Sequence, residues 1–78
     1  MKKEELLLKF GKRIKQLREA ENLTQEKLAE HTGFHRTYIG MVERGERNIS
    51  LKNINVFAEY FRMSLAELLG TENFGEKE

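Results

Sequence analysis

The sequence contains no cysteine, no proline and no aspartate. Without cysteine there can be no disulfide framework, and two histidines alone offer no donor set for a structural zinc ion. Calcium loops of the EF-hand type need aspartate at fixed places, so they are excluded too. A catalytic inventory is equally thin: there is no thiol nucleophile, no glycine-rich phosphate loop and no cluster of metal-ligating side chains. A chain of 78 residues is also too short to enclose a substrate pocket. The expectation is therefore a protein that is not an enzyme and needs no cofactor and no metal. Long apolar runs are missing as well. Leu6-Leu7-Leu8 is far too short for a signal-peptide core, and no stretch approaches the roughly 20 apolar residues of a spanning helix. The chain reads as soluble and cytoplasmic, with no membrane partner.

What is present fits one small domain. A chain of this length buries only about 60% of the surface its unfolded form exposes. Small domains commonly add disulfides, a metal or a partner subunit. With the first two removed, self-association remains, and a homodimer is expected. The net charge is only +1, but it is unevenly placed. Residues 1–52 carry 12 Lys and Arg against 8 Glu, whereas residues 53–78 carry 2 against 5. That asymmetry suggests a basic working face and an acidic end kept away from phosphate; the competing reading is chance scatter over a strongly charged surface.

Helical periodicity runs throughout. Leu7, Phe10, Ile14 and Leu17 recur at helical spacing and predict a helix over residues 4–21. Lys9, Lys12, Arg13, Lys15 and Arg18 fill its other faces. Asn22 suits a left-handed stop. Thr24 then caps a short helix from Gln25 to His31 or Thr32, with Leu28 and Ala29 inward. Gly33 can supply the positive φ of a sharp turn. A third helix is expected from about His35 to Arg44, stopped by Gly45. Ser50 caps a fourth, Leu51 to about Phe61, with Ile54, Phe57, Ala58 and Phe61 inward. Ser64 and Glu67 form a capping-box signature before a fifth helix ending at Leu69, which Gly70 stops. Leu65 and Leu68 would face inward. No strand pattern appears. The fold class is all-α, with a domain over residues 1–70 and a polar, flexible tail over 71–78.

The segment Thr24–Asn48 carries the functional signal. Two short helices joined by a glycine turn are the layout of a helix-turn-helix, whose second helix enters the major groove of DNA. Ile39 and Val42 would face the core, leaving Arg36, Thr37, Gly40 and Arg44 on the opposite side, with Met41 beside them. Arg36 can donate two hydrogen bonds to guanine, and Thr37 can meet a base or a thymine methyl. Tyr38 could donate to a phosphate, and Gln25 sits at a helix N-terminus, where free N–H groups attract phosphate. Arg44, Arg47 and Asn48 can reach backbone or bases, with Lys52 close by. Gly40 costs about 1 kcal/mol against alanine inside a helix. Its presence suits either a close approach by the groove or packing against a neighbouring helix. Glu43 is expected to brace Arg36 or Arg44, or to pair with Arg47. His31 and His35 read as surface or turn residues.

On these residues the chain resembles the phage-repressor-like (Xre-type) helix-turn-helix DNA-binding family. Gln25, Leu28-Ala29, Gly33, Ile39, Val42 and Glu43 stand at that family's spacings. Arg36-Thr37-Tyr38-Ile39, Glu43-Arg44-Gly45 and Arg47-Asn48-Ile49-Ser50-Leu51 are similar to the controller proteins of restriction–modification systems. The resemblance covers about residues 8–70. It implies a compact five-helix domain that dimerises on a partly palindromic operator and regulates transcription of its own and the restriction enzyme's gene. By position, Arg36, Thr37 and Arg47 would read bases, and Gln25, Tyr38, Arg44, Asn48 and Lys52 would hold backbone. Met41 departs from the polar or small residue common in relatives, which puts a base contact there in doubt. RNA polymerase is an implied partner, with Glu26 and Glu30 as the exposed candidates.

Val56 and Tyr60 form a second stripe on the fourth helix, and Ala66 and Leu69 lie nearer the surface of the fifth. Clustered surface apolar residues suggest a partner face, and these four are the expected dimer interface, with Phe74 a further candidate. A two-fold pair would set its recognition helices about 34 Å apart. The alternative is that these residues complete the monomer's own core. The rival to DNA binding is a protein-interaction module, an antitoxin or adaptor, built on the same helix pair.

Overall fold

Four of the five helices open on a side chain that accepts a backbone N–H. In the computed structural model, which describes residues 2–70, these are α2 (Gln25–Thr32), α3 (Arg36–Glu43), α4 (Leu51–Tyr60) and α5 (Leu65–Leu69), following α1 (Lys3–Ala20). Thr24, Ser50 and Ser64 accept from the N–H three residues on, each relieving one of the unpaired donors at a helix start. Ser64 and Glu67 complete a reciprocal capping box. His35, expected inside α3, instead lies before it and caps it, its Nδ1 accepting from the Thr37 N–H at 3.3 Å. The stops also match their residues: Asn22, Gly33, Gly45 and Gly70 all have positive φ. Among the described residues there is no strand. The tail over 71–78 and the expected role of Phe74 lie outside the described residues.

Every helix contributes to one core. Phe10 and Ile14 of α1, Leu28 and Ala29 of α2, Ile39 and Val42 of α3, Phe57 and Ala58 of α4, Phe61 just beyond it, and Leu68 of α5 are buried. Each such large side chain contributes about 1.5–3 kcal/mol on leaving water. Leu7 and Leu17, on the apolar stripe of α1, and Ile54 and Leu65, expected inward, are only half-buried. Phe34 of the α2–α3 turn joins the core's edge, its ring centroid 5.1 Å from that of Phe57.

Two arginines of α1 correct the sequence expectation that they face water. Arg13 donates from Nε to the Leu68 carbonyl and from Nη2 to the Glu67 carbonyl, both at 2.9 Å. A cation there satisfies two of the unpaired carbonyls at the end of α5 and complements its dipole. Arg18 is buried, as described below. Gly11 has a different task. A Cβ at this position would stand 2.4 Å from the Val42 carbonyl oxygen and 2.6 Å from that of Glu43, so only glycine lets α1 lie directly on the end of α3.

Candidate nucleic-acid interface

A recognition helix is useful only if its angle is fixed, and in this chain a buried polar network fixes it. Glu43, the last residue of α3, receives Arg18 Nε at 2.7 Å and Arg18 Nη2 at 3.0 Å. Its Oε1 also accepts from Gln25 Nε2 at 3.0 Å. Arg18 spends a further donor on the Leu23 carbonyl at 2.7 Å. The side chains of Arg18 and Glu43 are 11% and 3% exposed, so a two-pronged, charge-assisted pair joins α1 to α3 inside the fold. The hydrogen bonds to Glu43 hold the Arg18 guanidinium above its ordinary pKa, against the opposing effect of burial. Glu43 therefore braces neither Arg36 nor Arg44 and does not pair with Arg47. Its carboxylate points inward because residue 43 lies four positions after buried Ile39.

Gly40 is explained by the same neighbourhood. It is buried, and an added Cβ would meet Arg44 Nη1 at 3.1 Å and Gln25 Oε1 at 3.4 Å. Of the two expected reasons, packing against a neighbouring helix fits, since Gln25 belongs to α2. Two polar side chains cross the space a larger residue would need.

Outside this brace the candidate contacts are brought onto neighbouring elements. Arg36 and Thr37 are exposed in the first turn of α3. Arg44 is exposed just after α3, its Nε 3.1 Å from Glu46 Oε2, and that hydrogen bond raises its pKa. Arg47, Asn48 and Lys52 are exposed on the following loop and the start of α4. The Arg47 guanidinium lies 5.1 Å from the centroid of the Tyr38 ring, within cation–π range. Tyr38 is half-buried; its ring centroid is 4.9 Å from that of Phe34. Its hydroxyl accepts from Asn53 Nδ2 at 3.0 Å. Gln25 is half-buried, with an amide hydrogen committed to Glu43. Met41 is half-buried and contributes no polar group.

Sequence reasoning missed Arg18, Glu46 and Asn53. Arg18 had a signal: with Phe10 and Ile14 it falls at i, i+4, i+8 on the core stripe. Asn53 had none, because its partner is on another helix.

The expected dimer residues are spread over α4 and α5. Val56 and Leu69 are half-buried and Ala66 is exposed. Tyr60 is half-buried and engaged within the chain, its hydroxyl 2.7 Å from His31 Nδ1 and its ring edge-on to Phe61 at 5.0 Å. Leu51, assigned no task from sequence, is 70% exposed at the start of α4. Glu26 and Glu30 lie exposed on α2, the latter 3.3 Å from Lys27 Nζ. Among the described residues no group of three or more His, Asp or Glu could hold a metal ion, and no helix is long and apolar enough to cross a membrane.

The family model described as "Helix-turn-helix" matches residues 14–68. The control protein C.SmaI of Serratia marcescens is 45% identical over 60 residues, covering 77% of this chain and 71% of that protein. The crystal structure of the restriction-modification controller protein C.AhdI from Aeromonas hydrophila superposes with a TM-score of 0.74 at 48% identity, over 80% of this chain and 94% of that one. The controller protein C.Esp1396I, solved as a tetramer in complex with its natural 35 base-pair operator, gives 0.75 at 33% identity over 90% and 96%. The chain belongs to the helix-turn-helix family.

Proposed function

We propose that this helix-turn-helix protein is a restriction–modification controller: a transcriptional regulator that binds a specific double-stranded operator as a homodimer in the cytoplasm and catalyses no reaction. The observation that carries the reading is the division of labour on α3. Its inner side is locked by Glu43 to Arg18 and Gln25, while Arg36 and Thr37 stand exposed at its first turn. A helix braced at its C-terminal end and presenting exposed arginine and threonine in its first turn suits major-groove reading, in which the N-terminal residues of the helix meet base edges. Similarity to an operator-bound controller over nearly the whole chain supports it.

In this reading Arg36, Thr37 and Arg47 contact bases, and Gln25, Tyr38, Arg44, Asn48 and Lys52 contact the sugar–phosphate backbone. Gln25 does so with what its bond to Glu43 leaves free. Val56, Tyr60, Ala66 and Leu69 border the two-fold contact, and Glu26 and Glu30 face RNA polymerase.

Selection of bound duplexes from a random pool, followed by sequencing, tests this directly. The expected outcome is a partly symmetric site whose affinity falls by orders of magnitude between 50 and 200 mM salt if about 6–10 phosphates are neutralised. An absence of any enriched duplex at low ionic strength would sink the reading and leave the protein-interaction module in its place.

A further inference from the structure

Tyr38 is held by a residue, Asn53, that the proposed contacts do not include. Its ring leans on Phe34, which leans in turn on Phe57 of the core. Its hydroxyl accepts from Asn53 in the first turn of α4. Asn53 is itself seated, because its backbone N–H donates to Ser50 Oγ at 3.1 Å. Beside the same ring lies the Arg47 guanidinium. One phenol thus connects the core, α4 and a loop arginine.

The polarity of the Asn53–Tyr38 bond matters. A side-chain NH2 group can only donate, so the phenol oxygen is the acceptor and its own proton stays available to another partner. The bond also anchors the far end of the ring, opposing a swing of the side chain about Cα–Cβ, and the ring is the platform beside which Arg47 rests. We infer that Asn53 is a positioning residue for sequence reading: without touching the operator, it orients the Tyr38 hydroxyl and, through the ring, the Arg47 guanidinium. This rests on the DNA-binding reading given above.

A double-mutant cycle between Asn53→Ala and Tyr38→Phe in the full chain tests the inference. It uses the duplex recovered by selection and a panel with each base pair changed in turn. Asn53→Ala should weaken binding about threefold to tenfold, the range of one net hydrogen bond. It should also flatten preference at the base pair where Arg47→Ala flattens it. In the Tyr38→Phe background the same change should alter affinity less than twofold. Equal losses in both backgrounds would mean that Asn53 acts on DNA directly or through the fold at large, and would overturn the inference. So would a uniform loss across the panel. Asn53→Ser, whose hydroxyl is too short to reach Tyr38, repeats the test should the alanine variant fold poorly. If the wild-type chain retains no duplex, the DNA-binding reading itself has failed; if it binds tightly and the cycle is additive, only the role of Asn53 is lost.

Discussion

Replacing Glu43 by alanine should destabilise the domain by about 3 kcal/mol. Removing one partner of a buried ion pair costs about 3–5 kcal/mol, because the other charge stays desolvated. The low end applies here. Arg18 keeps its bond to the Leu23 carbonyl and its side chain retains 11% exposure, so the orphaned guanidinium can recover some hydration. Domains hold roughly 0.05–0.15 kcal/mol per residue, so a chain this size stands to lose a quarter or more of its stability. At about 4–8 °C per kcal/mol for a domain of this size, the midpoint should fall by roughly 12–24 °C. Urea unfolding followed by far-ultraviolet circular dichroism measures the loss, and thermal melts check it. The double replacement Arg18→Met with Glu43→Leu should recover most of it, since well-packed apolar groups can substitute for such a pair. A loss below about 1 kcal/mol for Glu43→Ala would be the behaviour of an exposed ion pair and would refute the claim that this contact is buried.

Three further substitutions probe other parts of the molecule. Gly11→Ala must push α1 off the carbonyls of Val42 and Glu43; a cost of about 1–3 kcal/mol, typical of overpacking, should appear in thermal melts, and a neutral result would mean that the two helices do not touch there. Arg36→Ala should cost about 1–3 kcal/mol of operator binding and relax preference at one base position; equal weakening on every duplex would reassign it to phosphate. Leu69→Glu should shift the sedimentation profile toward monomer, and an unchanged profile would remove Leu69 from the interface.

The helices were readable in the sequence because their signals are local. Thr24, Ser50 and Ser64 cap as their positions predict, and Asn22, Gly33 and Gly70 take the left-handed conformation that stops require. Apolar spacing also gave the core, since Phe10, Ile14, Ile39, Val42 and Phe57 follow helical period. The exposed position of Thr37 follows from the same period, whereas Arg36 shares a stripe with buried Ile39, Gly40 and Glu43 and is exposed because it opens the helix. What stayed hidden was long-range polar pairing. Arg13 looks like an ordinary surface cation, and although the core stripe points to burial of Arg18, the partners of the two lie 54 or 55 and 25 residues away respectively, beyond what any period encodes. His35 was misplaced by one position because its imidazole, rather than a hydroxyl, fills the capping role. Gly40 suggested a close approach by the groove or by a helix, but that the approaching groups belong to Gln25 and Arg44 only the packing of α2 on α3 reveals.

Gly11 and Arg13 stand two residues apart on one uninterrupted helix. The first rests against the end of α3, and the second grips the final carbonyls of α5. That helix therefore acts as a common strut between the end of α3 and the end of α5. In the proposed dimer, with α3 in the groove and α5 beside a second copy, a bend in α1 would change the separation of the two α3 helices without altering any side chain proposed to meet a base.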